Sequence, residues 1–220
     1  MLRMMCVCMM VACVFSPCAF GEDKCLEGDC KDGKGVMEKS DGTKYEGEFK
    51  EGLPHGTGKF VYPPEKPGQS EIYVPRPVGT YEGQVERGLA EGKGTFTFLD
   101  GSKYVGDFKN NKMEGKGHMT NANGIIYEGD FAKGRPNGQG TATFPDGRKY
   151  VGGVVENHIY GKGVMTYPDG SKYEGEFQMD KKHGKGLMTY SDGKKEEGEF
   201  KEDQFVGAGV PDSGKQEKNQ

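Results

Sequence analysis

One tyrosine recurs along this chain at a fixed interval of 23 residues. Tyr45 lies 36 residues before Tyr81, which is one period plus an insertion of 13 residues, and one further step after the last tyrosine lands on Glu196 in a degenerate copy. Together these positions define seven copies. A fixed period of this length is typical of repeat proteins, in which each unit stacks on its neighbours, so the sequence predicts one long domain. The regularly spaced tyrosines are Tyr81, Tyr104, Tyr127, Tyr150 and Tyr173.

Each copy contains two stretches in which the side chains alternate between two faces. In the last full copy, Tyr173, Gly175 and Phe177 fall on one face and the intervening glutamates fall on the other. The second stretch continues this alternation from Gly184 to Tyr190. A loop that often contains glycine joins the two stretches, and an Asp-Gly dipeptide follows them, supplying the positive φ that a tight hairpin requires. The sequence therefore predicts two antiparallel strands per copy.

A register follows if Tyr167 pairs with Tyr173 around the intervening Asp-Gly turn. Met165 then faces Gly175, and Gly163 faces Phe177. Each large side chain covers a glycine on the neighbouring strand, an arrangement that compensates for the missing glycine side chain in sheets. The glycines are therefore predicted to have a packing role.

The recurring elements Tyr-Glu-Gly-Glu-Phe, His-Gly-x-Gly and Asp-Gly-Ser-Lys-Tyr resemble the MORN repeat, over about three-quarters of the chain. The resemblance implies an all-β fold, an elongated, twisted single-layer antiparallel sheet of stacked β-hairpins. The resemblance implies a scaffold or an appended recognition module. Acidic phospholipid is a ligand that has been assigned to this family. Open sheets of more than about ten strands twist or curl, so a curved, elongated body is expected.

The first 21 residues differ in composition from the rest of the chain. Arg3 is followed by an apolar run from Met4 to Phe15, then by Pro17 and small residues that end at Gly21. This pattern predicts a secretory signal peptide over residues 1–21, because the run is too short to span a bilayer. The protein is therefore predicted to be secreted or periplasmic. Peripheral attachment to a membrane surface after export is compatible with this prediction. A short buried strand, a membrane anchor and a lipoprotein signal are the alternatives.

Cys25 and Cys30 are the cysteines that remain after residues 1–21. An even pair in an exported chain favours a disulfide, whereas zinc requires four ligands and redox motifs have the spacing Cys-x-x-Cys. The surrounding residues Leu26 to Cys30 form a degenerate Tyr-x-Gly-x-Phe element. Residues 22–44 are therefore predicted to be an atypical capping repeat at the open end of the stack.

Residues 45–210 hold the seven repeats, with a proline-rich insertion over residues 63–78. Five prolines in the insertion favour extended backbone, and Ile72, Tyr73 and Val74 form an apolar run between them. The insertion is either a tolerated hairpin extension or a partner-binding loop. Residues 211–220 are polar and without apolar periodicity, which predicts a disordered tail.

Candidate catalytic and metal-binding residues do not converge. His55 and His183 occupy the same repeat position five copies apart, about 48 Å along a straight stack. The Gly-x-Gly elements lack the helix that a dinucleotide site needs, and each Asp-Gly turn offers one carboxylate where Ca²⁺ requires 6–8 oxygen ligands. The sequence predicts no enzyme activity, no metal and no cofactor.

The two faces of the predicted sheet suggest two kinds of partner. Rows of lysines, with Lys103, Lys149 and Lys172 as candidate lipid-headgroup contacts, alternate with acidic rows on the outer face. After removal of Arg3 the chain has 29 basic and 34 acidic residues, which argues against nucleic acid. The inner face carries a lane of aromatic side chains that either packs on itself or is covered by another chain. The candidate partner contacts in that lane are Tyr104, Tyr127, Tyr150 and Tyr173.

These observations predict an exported, non-enzymatic MORN-repeat scaffold or protein-interaction module, with a protein partner or self-association. A peripheral binder of acidic phospholipid headgroups is the main alternative. An enzyme with an unrecognised site is the other.

Overall fold

The computed structural model describes residues 22–64 and 78–207, which form one antiparallel sheet of 16 strands. The strands are hydrogen-bonded in chain order, and no helix is present in these ranges. The predicted all-β, single-layer antiparallel fold is confirmed. With neighbouring strands about 4.8 Å apart, the sheet extends over about 70 Å. Correspondingly, this part of the chain contains no helix with the length and apolar character needed to cross a membrane.

The strands pair into eight successive hairpins. The first eight strands are β1 (Lys24–Gly28), β2 (Lys34–Glu38), β3 (Lys44–Lys50), β4 (Leu53–Tyr62), β5 (Gly79–Glu86), β6 (Leu89–Phe98), β7 (Lys103–Lys109) and β8 (Lys112–Thr120). The second eight are β9 (Ile126–Ala132), β10 (Arg135–Thr143), β11 (Lys149–Val155), β12 (His158–Thr166), β13 (Lys172–Gln178), β14 (Lys181–Thr189), β15 (Lys195–Lys201) and β16 (Gln204–Gly207).

Seven of the eight hairpins close with a two-residue turn. Between β13 and β14, the turn residues Met179 and Asp180 have φ angles of 48° and 68°. Two positive φ angles are the mark of the type I′ turn, whose twist matches that of the flanking strands. The sequence pattern indicated only a loop here, because a bulky residue such as methionine rarely adopts positive φ.

The Asp-Gly dipeptides lie in the connections between hairpins. Gly170 has a φ of 86°, and the backbone N–H of Tyr167 donates to the Ser171 carbonyl at 2.9 Å. The N–H of Ser171 in turn donates to the Asp169 carboxylate at 2.9 Å. The prediction that Asp-Gly supplies the positive-φ turn residue is confirmed.

The predicted register across this connection is wrong by two residues. Met165 pairs with Tyr173, and Gly163 pairs with Gly175. The turn itself is the reason, because its closing hydrogen bond joins Tyr167 to Ser171 and not Tyr167 to Tyr173. A shift of two residues leaves every side chain on its predicted face, since the alternation has a period of two. It does, however, set glycine opposite glycine.

The tyrosine ring of each repeat covers a glycine pair of its own hairpin. Tyr173 lies over Gly175 and Gly186, which pair with each other on β13 and β14. A Cβ added at Gly175 would lie 2.5 Å from the Tyr173 hydroxyl and 2.6 Å from the Gly186 Cα. The expectation that large side chains cover the glycines holds, but the covering residue is Tyr173 in place of Met165.

Aromatic side chains extend this packing from hairpin to hairpin. The Tyr173 ring makes edge contacts with Phe177 on its own strand and with Phe200 on β15, at centroid distances of 5.1 and 4.9 Å. Edge-to-face contacts are a favourable arrangement of aromatic rings. Tyr173 has no exposed surface. The aromatic lane therefore packs on itself, and the core of the sheet lies along its inner face.

A pairing irregularity occurs in every hairpin that closes with a two-residue turn. In the β13–β14 hairpin the pairing shifts between Gly175 and Glu176, and Gly184 opposite takes a φ of 57°. A bulge of this kind bends its strand and increases the local twist. Because the bulges follow one another at a similar level from hairpin to hairpin, they bend the sheet along a line that crosses the strands.

The first hairpin is shorter than the others and differs from them. All five residues of β1 are exposed, and the sulfur atoms of Cys25 and Cys30 lie 2.05 Å apart, at disulfide distance. This pair connects β1 to the turn that leads to β2. It lies at one end of the sheet, where β1 has β2 as its one neighbour among the strands of the described residues.

Candidate interaction surfaces

The four tyrosines predicted as candidate partner contacts lie in the core. Tyr104, Tyr150 and Tyr173 have no exposed surface, and Tyr127 is 7% exposed. Their hydroxyls also have hydrogen-bond partners within the sheet. The Tyr104 hydroxyl donates to the backbone carbonyl of Asp107, three residues later, at 2.9 Å. The same tyrosine-to-carbonyl hydrogen bond recurs in the other repeats. A partner does not reach these side chains, so their assigned role is corrected from contact to packing.

The three candidate lipid-headgroup lysines lie in one row of the outer face. Each of Lys103, Lys149 and Lys172 pairs with a threonine on both neighbouring strands. Lys149 and Lys172 are two strands apart, about 10 Å. The adjacent row is partly acidic, and the Lys172 ammonium lies 2.9 Å from the Glu174 carboxylate. The three lysines are therefore aligned across the sheet, but the adjacent row places carboxylates such as that of Glu174 beside them.

The outer face carries an open groove of about 980 Å³ that crosses the strands from β5 to β11. It follows the line of glycine pairs such as Gly106 and Gly117, whose backbone forms its floor. One wall contains Lys93, Lys116 and Gln139. We call this feature the outer groove. Its opposite wall is a single row of residues on successive strands: Glu82, Thr95, Val105, His118, Glu128, Thr141 and Val151.

The charge pattern of the outer face changes inside this groove. The residue after the anchoring tyrosine is glutamate in most copies, but it is valine at Val105 and Val151. These two side chains are 45% and 55% exposed in the middle of the sheet. Between them the row contains Glu128 as its one carboxylate. Sequence reasoning missed this surface, although Tyr-Val-Gly in place of Tyr-Glu-Gly was the available signal.

Ion pairs run along the other wall of the outer groove. The Lys93 ammonium lies 2.6 Å from the Asp107 carboxylate, and Lys116 lies 2.5 Å from Asp130. Hydrogen bonds from these lysines hold the pKa of both aspartates below the usual value. Since the lysine ends of these pairs are largely exposed, the pairs contribute little to stability. Their effect is to give the wall mixed charge.

Other predicted site residues have no common location. Ile72, Tyr73 and Val74 lie outside the described residues. His158, which belongs to none of the predicted sites, hydrogen-bonds through Nδ1 to the Asp180 carboxylate at 2.7 Å, and this bond links two neighbouring hairpins. Across residues 22–64 and 78–207, no group of three or more His, Cys, Asp or Glu side chains is arranged to hold a metal ion.

A comparison with solved structures finds matches of low similarity. The SAS-4 (dCPAP) TCP domain of Drosophila melanogaster, in complex with a proline-rich motif of Ana2 (dSTIL), is 12% identical with a TM-score of 0.45, covering 89% of this chain and 97% of that chain. The wild-type TCP10 domain of Danio rerio CPAP is 14% identical with a TM-score of 0.42, covering 76% of this chain and 72% of that chain. At such scores the likeness transfers no function. No curated protein matches the chain.

A family profile for the MORN repeat matches the chain in eight segments. The matched residues are 31–44, 45–64, 81–103, 104–126, 127–147, 150–172, 173–195 and 197–210. Six of these segments begin at an anchoring tyrosine, so the profile follows the same period as the hairpins. Because the match extends over well more than half of the sequence, the chain belongs to the MORN repeat family.

Proposed function

We propose that this chain is an exported, non-enzymatic MORN-repeat protein that binds an extended segment of a partner protein in the outer groove. The observation that carries the proposal is the exposed, largely uncharged row between Val105 and Val151. Exposed apolar side chains in a concave surface are typical of interaction sites. The same row continues to Glu82 on β5 and to Glu174 on β13, so this stretch, in which Glu128 is the one carboxylate, lies between two acidic ends.

The dimensions and charge of the outer groove favour a polypeptide as its occupant. Six strand spacings separate β5 from β11, about 29 Å, which an extended peptide covers with about nine residues. Lysines and carboxylates are both present along the walls, a pattern that suits mixed side chains and not a polyanion. Apolar side chains of the peptide would contact the two valines, and its polar side chains would meet the charged wall.

A variant pair tests this proposal. Val105→Lys with Val151→Lys places two ammonium groups in the outer groove, and we expect it to abolish capture of peptides selected on the wild-type protein from a random displayed library. The matched control is Val61→Lys with Val155→Lys, since those valines are 40% and 47% exposed and lie outside the groove. Both variants should keep the wild-type circular dichroism spectrum and melting temperature. Equal loss of capture in both variants, or in neither, contradicts the proposal.

A second function, binding of acidic phospholipid, is favoured by the alignment of Lys103, Lys149 and Lys172. It predicts that vesicles containing phosphatidylserine bind the protein, that salt weakens the binding, and that replacing the three lysines by glutamine removes it. The net charge of −5 after Gly21 and the neighbouring glutamates oppose this function. Vesicle binding that survives in the Val105→Lys, Val151→Lys variant but not in the triple-glutamine variant would select it over peptide binding.

Export is supported by the composition of residues 1–21 and by the pairing of Cys25 with Cys30. We expect the mature chain to begin near Glu22 and to carry this disulfide. Intact-mass measurement of protein recovered from the exporting compartment, before and after reduction, checks both points. A mass that includes Met1, or one that reveals two free thiols before reduction, contradicts the expectation.

A further inference from the structure

Consecutive hairpins are joined by a backbone hydrogen bond that recurs along the sheet. From β5 onward, the second residue of each hairpin turn donates its N–H to the preceding hairpin. The acceptor is always the carbonyl of the second residue of that hairpin's second strand. For example, Asp203 donates to the Lys182 carbonyl at 3.1 Å. The acceptor carbonyls are those of Pro54, Ala90, Met113, Pro136, Ile159 and Lys182.

The residue at the equivalent position of the last hairpin is Phe205, the second residue of β16. Its pairing with Phe200 matches the pairing of Ile159 with Val154. Both backbone groups of Ile159 face the next hairpin, because its N–H donates to the Asp180 carboxylate at 2.7 Å and its carbonyl accepts from the Asp180 N–H at 3.1 Å. The N–H and carbonyl of Phe205 therefore point away from β15. Since β16 is the last strand of the described residues, none of their hairpins pairs with these two groups.

The side chain of Phe205 is left uncovered at the same place. Its ring contacts Phe200 at 5.2 Å between centroids, so it continues the aromatic lane of the inner face. It is 37% exposed, whereas the equivalent Ala90 and Ile159 are 3% and 7% exposed. The adjacent Val206 is 61% exposed. The last strand thus exposes both the apolar side chain and the backbone groups that the next hairpin covers elsewhere in the sheet.

The charge of the two end strands differs. β16 reads Gln-Phe-Val-Gly and is the one strand without a charged residue among the 16 strands of the described residues. At the other end, β1 carries Lys24 and Glu27 and is tied by the disulfide pair, and charges on an edge strand oppose pairing with another chain. A residue near a two-fold axis meets its own copy, so any charge there faces a like charge. A strand without charge is therefore suited to pair with itself.

We propose that β16 is a dimerisation edge that pairs antiparallel with β16 of a second copy of this chain, with Phe205 opposite Phe205. Each of these residues then donates its N–H to the carbonyl of the other, which satisfies all four groups at once. Gln204 lies opposite Val206 of the copy. A two-fold axis perpendicular to the sheet keeps both inner faces on one side, so the aromatic lane crosses the interface. The contact is isologous and closes at two copies.

Sedimentation velocity of the full chain over a range of concentrations tests this proposal. We expect a reversible equilibrium of monomer and dimer, without larger species. Phe205→Asp and Phe205→Lys should each weaken the dimer about tenfold, because like charges meet at the axis. An equimolar mixture of the two variants should restore the dimer, since opposite charges then meet, and a variant that fails to fold is not rescued in this way. The Val105→Lys, Val151→Lys variant should dimerise like wild type, which separates this interface from peptide binding in the outer groove.

Cysteine cross-linking checks the register. Phe205→Cys should form an interchain disulfide with oxidised glutathione, because Cα atoms of such a pair lie about 5.5 Å apart, within the span of a disulfide. Val206→Cys should cross-link far less, although position 206 is the more exposed, because its opposite residue is Gln204 of the copy. The proposal is overturned if the chain stays monomeric at every concentration or forms open-ended polymers. It is also overturned if mixing the charged variants restores nothing, or if Val206→Cys cross-links as readily as Phe205→Cys.

Discussion

Replacing Gly175 by valine is expected to lower the free energy of unfolding by about 1–3 kcal/mol, the usual range for overpacking, and by more if the sheet cannot adjust. A Cβ at this position would lie 2.6 Å from the Gly186 Cα, closer than real Cβ contacts allow, and 2.5 Å from the Tyr173 hydroxyl. Backbone and a buried ring surround the site, so neither neighbour moves away without cost. Chemical denaturation with matched slopes measures the difference.

Glu174→Val is the matched control, because it places the same side chain on the same strand. Glu174 faces solvent, and its ion pair with Lys172 joins two half-exposed side chains, which contributes little. We expect this variant to stay within about 0.5 kcal/mol of wild type, as is usual for surface substitutions. Equal denaturation midpoints for the two variants would be incompatible with the assignment of faces.

The protein is expected to unfold between about pH 10 and pH 12. Burial, the main cause, raises the pKa of Tyr45, Tyr104, Tyr127, Tyr150 and Tyr173 to about 12, and it raises that of Tyr81 as well. In the unfolded chain tyrosine has a pKa of about 10. Since the folded value is the higher one, the stability associated with the neutral hydroxyls is complete below pH 10 and is lost as the pH rises towards 12.

Each of these tyrosines makes the stability fall by up to about 1.4 kcal/mol per pH unit in this window. Summed over several tyrosines and over this pH window, the loss is as large as the free energy of unfolding of a typical domain, about 5–15 kcal/mol. Tyrosinate absorbance and sheet circular dichroism, recorded together during an alkaline titration, should therefore change in the same pH range. Tyrosinate that forms while the sheet signal remains intact would contradict the prediction.

Tyr104→Phe separates the tyrosines from other groups that titrate at high pH. The variant loses the hydrogen bond to the Asp107 carbonyl, about 1 kcal/mol at neutral pH, but it also loses one ionisable group. We expect its free energy of unfolding to fall less steeply between pH 10 and pH 12 than that of wild type. The difference in slope is the contribution of one tyrosine, up to about 1.4 kcal/mol per pH unit. An unchanged slope would contradict a contribution of the buried Tyr104 to the alkaline transition.

The sequence by itself determined the repeat and its two strands. The 23-residue interval specifies one structural unit per copy, and strict alternation assigns Tyr173 and Glu174 to opposite faces because side chains in a strand alternate with a period of two. The Asp-Gly turns were also predictable, since they depend on the local φ of a glycine such as Gly170. These properties depend on residues that are close together in the sequence, so the sequence pattern is sufficient to predict them.

Only the tertiary structure decided how the strands align. The turn closes between Tyr167 and Ser171, and this choice of hydrogen bond sets Gly163 opposite Gly175. The burial of the tyrosines depends on the pairing within each hairpin as well, because each ring lies over a glycine pair formed by the two strands of its own hairpin. The outer groove depends on it too: Val105 and Val151 are 46 residues apart in the sequence and share a row only through the pairing of the strands between them.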